Sequence, residues 1–155
     1  MAWTNSKVFA RYVSDMMDNI VAFDLGSDVP KVALYNNVIT PDNTVVSAST
    51  AYGVGQWAAA NEVSQAVQWP VGGVALAGTS LTVGASATTY DANDTASGSA
   101  ATLASIFGAL VYDDTITTPV ADQGLSYNYF GGTNSVTNGT FTVVWNVAGI
   151  FRATY

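Results

Sequence analysis

Val136-Thr137-Asn138-Gly139-Thr140-Phe141-Thr142-Val143-Val144-Trp145-Asn146-Val147 carries the clearest local instruction in this chain. Asn138-Gly139 stands among β-branched and aromatic residues, and both residue types accept a positive φ. That is the chemistry of a two-residue type I′ hairpin. Beyond the turn, Phe141, Val143, Trp145 and Val147 alternate. The spacing predicts a strand over 140–147 with those four on one face. Trp145 is assigned to the core.

Outward from this hairpin the same period recurs. Residues 124–130 alternate, with Leu125, Tyr127 and Tyr129 on one face, and Gly131-Gly132 are expected to end the run. Residues 103–112 are almost wholly apolar and read as a buried strand that stops at Asp113-Asp114. Residues 31–36 read as a strand with Val32 and Leu34 facing one way. Shorter strands are expected at 44–49, 74–77, 81–83, 88–90 and 150–155. Residues 56–68 are ambiguous, with a helical turn possible from Trp57 to Glu62. Pro70, Gly72 and Gly73 force a break after them. About eight or nine short strands with turn signals between them predict a mainly β chain, an antiparallel β-sandwich or jelly roll.

The N-terminal segment differs. Val8, Phe9, Tyr12, Val13, Met16, Met17 and Ile20 recur at helical spacing and predict an amphipathic helix. Thr4, Asn5 or Ser6 is expected to cap its start, and Gly26 to stop it. Lys7 and Arg11 lie near its beginning, Asp15 and Asp18 near its end, which opposes the helix dipole. Packing, not propensity, must hold it. The expected organisation is a helix or arm over 1–25 and a sandwich domain over 26–155. No repeat or low-complexity linker divides the chain further.

Composition restricts the chemistry. There is no cysteine, no histidine, one glutamate (Glu62) and four basic residues, Lys7, Arg11, Lys31 and Arg152. Disulfides, thiolate metal sites and a Ser-His-Asp triad are excluded. Charged residues make up 10% of the chain, against about 25% in ordinary domains. The surface must therefore be built from Thr, Ser, Asn, Gly and Ala. A net charge of −7 argues against nucleic acid as a partner. No run of about 18 apolar residues is present, so no membrane span is expected. Lys7 and Arg11 precede no continuous apolar stretch, and no signal peptide is read there.

Few motifs suggest a reaction. Residues 91–98 resemble a calcium loop, with Asp91, Asn93 and Asp94 as oxygen donors. Ala96 and Thr102 stand where that loop needs glycine and glutamate, so turn chemistry is the simpler reading. Asp113, Asp114 and Asp122 contain the carboxylates a glycosidase needs, but neighbours in a strand point to opposite faces. Gly72-Gly73 and Gly131-Gly132 lack the Gly-Lys-Ser/Thr of a phosphate loop. Asn93-Asp94-Thr95 and Asn138-Gly139-Thr140 match the glycosylation pattern by chance. The aromatics are the remaining candidates. Trp3 is expected as an interface anchor together with Val8, Phe9, Tyr12, Met16 and Met17. Trp57 and Trp69 are candidate surface aromatics, suited to stacking on a sugar.

The order of these features resembles a known group. Trp3-Thr4-Asn5-Ser6-Lys7 opens a helix, and Lys31-Val32-Ala33-Leu34-Tyr35-Asn36 comes next. Then come Trp69 with Gly72-Gly73-Val74-Ala75-Leu76, Tyr90-Asp91-Ala92-Asn93-Asp94, and Gly108-Ala109-Leu110-Val111-Tyr112-Asp113-Asp114-Thr115. Phe130-Gly131-Gly132 and Gly149-Ile150-Phe151 close the series. The chain thus resembles small virion proteins encoded among the structural genes of tailed bacteriophages, over nearly its whole length. The resemblance implies a capsid decoration or cement protein, or a related accessory virion protein. It implies no catalytic residue, cofactor or metal. It implies the major capsid protein as partner, on the capsid exterior, with an arm over 1–19 lying on the shell. A homo-oligomer is expected, with a trimer at three-fold positions favoured. The alternatives are a host- or glycan-binding virion module and a tail or neck component.

Overall fold

The apolar run that ends at Tyr112 and the alternating run that begins at Gly124 pair with each other. In the computed structural model, which describes residues 3–155, they form the longest ladder in the molecule. The strands are β1 (Lys7–Val8), β2 (Lys31–Tyr35), β3 (Val74–Ala75), β4 (Ser80–Val83), β5 (Ala87–Asp91), β6 (Thr95–Ala96), β7 (Ala101–Tyr112), β8 (Gly124–Gly139), β9 (Thr142–Val143) and β10 (Phe151–Thr154). The helix α1 (Ala10–Met17) comes directly after β1. Short 3-10 turns at Ser47–Ser49, Gly55–Trp57 and Ala59–Asn61 carry the long connection from β2 to β3.

The strands form an antiparallel, β-sandwich-like arrangement. One sheet has the order β1-β8-β7-β2-β3, a second β10-β5-β4, and a small third joins β6 to β9. β2 lies between β7 and β3, and Val32, Ala33, Leu34 and Tyr35 are all fully buried. Both its faces are therefore covered, where the sequence pattern gave it one buried face. Gly108 pairs with Tyr35 and Tyr129 across the two flanking strands. A side chain there would run into the Trp3 indole and the Asn128 carbonyl. Its absence leaves room for the Trp3 ring.

Several expectations are corrected. Asn138 has a positive φ of 48°, but Gly139 does not, so the type I′ turn is not made. β8 already has a partner, because Ala101 pairs with Gly139 and Leu103 with Val136. The segment beyond Gly139 instead finds Ser97, whose N–H donates to the Phe141 carbonyl at 2.8 Å and whose hydroxyl accepts from the Phe141 N–H at 2.8 Å. The expected strand over 140–147 shrinks to β9, paired with β6. Val147 is wholly exposed and Trp145 half-buried, its indole donating to Thr95 Oγ1 at 3.3 Å. Gly131 and Gly132 do not end the preceding strand but are absorbed within β8. The strand expected at 44–49 is a 3-10 turn instead.

The N-terminal helix exists but is short. Phe9 precedes it in extended conformation, and no side chain caps it. Ser6 is otherwise engaged, its Oγ accepting from the Tyr129 N–H at 2.9 Å. Lys7 and Val8 pair with Tyr127 and Ser126. The Phe9 N–H donates to the Leu125 carbonyl at 3.0 Å. The Trp3 indole donates to the Asn36 carbonyl at 2.9 Å. Residues 3–17 are thus woven into the β body rather than set apart as an arm. Met1 and Ala2, where the expected arm begins, lie outside the described residues.

Candidate functional site

Three of the six residues expected at an interface are inside the protomer. Trp3, Phe9 and Tyr12 are all buried, with Phe9 at 0% exposure. Trp57 and Trp69, expected on the surface, are also 0% exposed. The reason is mutual packing. Trp57 meets Trp3 at 6.0 Å, Phe9 at 6.1 Å and Tyr35 at 5.1 Å, all edge-on. Trp69 packs edge-on to Phe141 at 6.1 Å. Edge-to-face aromatic contacts favour such clustering beyond simple area burial. No tryptophan platform remains for a sugar at Trp57 or Trp69.

Val8, Met16 and Met17 behave differently. Val8 and Met16 line an apolar groove of about 540 Å³ between α1, the 23–26 segment and the second sheet. The register of that sheet explains its lining. Phe151, Tyr90 and Leu81 are cross-strand partners, as are Ala153, Thr88 and Val83. All six therefore share one face. Arg152 belongs to the opposite row, with Thr89 and Thr82. The floor is aromatic: Tyr12 meets Phe23 at 4.8 Å and Phe151 at 5.6 Å, and Phe151 stacks on Tyr90 at 5.2 Å. Around the mouth the apolar character continues outward. Met17 is 80% exposed and Val83 75%, with Val13, Met16, Ile20 and Leu81 also open to solvent. Sequence reasoning found the helical wall and missed the sheet wall, although the alternation at 81/83, 88/90 and 151/153 was there to be read.

Asp113, Asp114 and Glu62 are engaged within the fold. Asp113 is fully buried. Its Oδ1 accepts from the Thr115 N–H at 3.0 Å and from the Thr115 hydroxyl. Its Oδ2 is buried without a hydrogen-bond partner among the described residues. Burial pushes the Asp113 carboxyl up, Thr115 opposes this, and Asp28 pushes further in the same direction as burial. Burial first, then Asp113, raises the neighbouring Tyr90 phenol. Asp114 turns the other way and pairs with Lys31 at 2.6 Å. The two adjacent carboxylates thus have different partners, Thr115 for Asp113 and Lys31 for Asp114.

Glu62 is held beneath the residue 70–73 turn. It accepts from the Tyr52 hydroxyl at 2.8 Å and the Gly72 N–H at 3.0 Å. Burial raises its carboxyl, and the Tyr52 phenol is pushed up to about 12, chiefly by burial. Tyr52 stacks on Tyr112 at 4.8 Å, and Tyr112 donates to the Gly72 carbonyl at 2.6 Å. In the loop that resembles a calcium site, Asp91 accepts from the Ala92 N–H and Asp94 from the Trp145 N–H. Among the described residues no group of three acidic side chains is placed to hold a metal ion, and no helix is long and apolar enough to cross a membrane.

Comparison with protein-family models, curated proteins and solved structures finds no match to this chain. The site is therefore read from its own geometry: a partly open, mostly apolar groove between α1 and the second sheet, with Asp24 and Arg152 also in its lining.

Proposed function

We propose that this chain is a non-enzymatic structural protein of a phage virion, a decoration or cement protein on the outer shell of major capsid proteins. The observation that carries this reading is the apolar surface at and just beyond α1, where Val13, Met16, Met17 and Ile20 lie exposed in one short segment beside an apolar groove. Exposed apolar surface of this kind marks a contact with another macromolecule. The resemblance in sequence order supplies the partner. A shell protein binds in many copies, so modest contacts repeated over a lattice suffice. The net charge of −7 leaves the outward surface negative, which keeps particles apart.

The mode of attachment differs from an arm laid over the shell. Trp3, Phe9 and Tyr12 hold the molecule together, and the helix surface beyond them makes the contact. Purified chain added to shells that lack it tests this. Wild-type chain is expected to bind to saturation, and Met17→Asp to bind far less while melting like wild type. Unchanged binding by Met17→Asp would remove the helix face from the proposal, and absence of wild-type binding would remove the shell.

A further inference from the structure

Every open sheet in a folded chain has edges, and edges invite pairing unless something blocks them. The edges of this molecule are unequally protected. β1 is two residues long and carries Lys7; β3, β6 and β9 are also two residues long. β10 carries Arg152. β4 is different. It has four residues, Ser80, Leu81, Thr82 and Val83, all exposed, with no charge and no proline. Its register with β5 is unbroken, so no bulge twists it away. No charged residue occurs anywhere between Glu62 and Asp91.

The hydrogen-bond phase of this edge is set by the turn beyond it. The Gly84 N–H donates to the Ala87 carbonyl at 2.9 Å, which makes that pair a bonded one. Bonded and non-bonded pairs alternate along an antiparallel ladder. Ser80 and Thr82 therefore point their amides and carbonyls toward β5. Leu81 and Val83 point theirs outward, to the open edge.

We propose that a second copy of this chain pairs antiparallel along β4, with Thr82 at the two-fold axis. Leu81 of each copy then lies opposite Val83 of the other. These are the residues with outward amides and carbonyls, so each such pair exchanges both bonds. Their side chains fall on the groove face, where they extend one apolar surface across both copies. The two sheets merge in the order β10-β5-β4-β4-β5-β10. Charge selects the occupant: for a chain of net charge −7, a segment without charge is where another copy approaches with least repulsion. The contact is isologous, and it takes the place of the three-fold ring expected from the sequence. It uses the edge and leaves the helix face free, so it stands independently of the shell reading.

Analytical ultracentrifugation of the full chain over a concentration series tests this. Wild-type chain is expected to reach twice 16.1 kDa with a dissociation constant below about 1 mM. Thr82→Lys and Thr82→Glu each place like charges opposite one another at the axis and are expected to weaken association several-fold. An equimolar mixture of the two is expected to restore it. Thr82 is exposed, so both variants keep the fold, which circular dichroism checks. Val83→Pro removes an outward N–H that β5 does not use and is expected to give monomer. A wild-type monomer at millimolar concentration would overturn the proposal. So would a trimer, an association indifferent to these variants, or a mixture that fails to recombine.

Discussion

Asp113 shows how a single carboxyl couples this fold to pH. Its raised folded-state pKa means that the native chain holds a proton that the unfolded chain releases near pH ~4. Stability from this group is therefore greatest in acid and falls as pH rises from about 4 through the raised folded value, where it levels off. Asp113→Asn keeps an acceptor for Thr115 without the titrating proton. Thermal melts between about pH 4 and 8 are expected to show wild type losing stability relative to the variant as pH rises. A difference that is flat, or of opposite sign, would contradict the upward shift that burial imposes on this carboxyl. Trp57 makes the second residue-scale case. Fully buried among Trp3, Phe9 and Tyr35, it is expected to cost about 3–5 kcal/mol on truncation to Ala. Denaturant unfolding measures this; a loss under about 1 kcal/mol would mean the ring is not in the core.

The N-terminal element is the clearest test at the scale of whole segments. Deleting residues 1–19 removes an edge strand, the helix and three core aromatics together. The outcome expected is loss of cooperative unfolding, read by calorimetry, rather than a folded chain that merely fails to bind. A folded, cooperatively melting deletion product would restore the arm. Strand content was legible where the period was strong: β2, β7 and the first half of β8 emerge directly from residues 31–36, 103–112 and 124–130. The turn at Asn138-Gly139 was misread because local turn chemistry is weaker than a long ladder. Once β7 extends to Ala101, Gly139 is already paired, and residue 138 becomes an irregularity near the end of one strand. Helical spacing found α1 but did not separate Phe9 and Tyr12, which are buried, from Val13, Met16 and Met17, which are exposed. Periodicity says which residues share a face and is silent about what covers that face. The same silence applies to Trp57 and Trp69, whose burial depends on Trp3 and Phe141, far away in sequence.

At the scale of the molecule, a mainly β body with few charged residues carries an open apolar groove beside α1 and the uncharged edge of β4. Asp113 and Glu62 act as structural acceptors, the first for Thr115 and the second for Tyr52 and Gly72. The place of the face was only half legible, because its sheet wall is assembled from β4, β5 and β10, the last far from the other two in sequence. The most direct test of the shell reading is cryo-electron microscopy of the intact phage particle at side-chain resolution, fitted with this sequence. The account predicts symmetric density on the outer shell, with Met16 and Met17 of α1 turned toward the major capsid protein. Density on the tail or neck, or a shell with no such density, would contradict it.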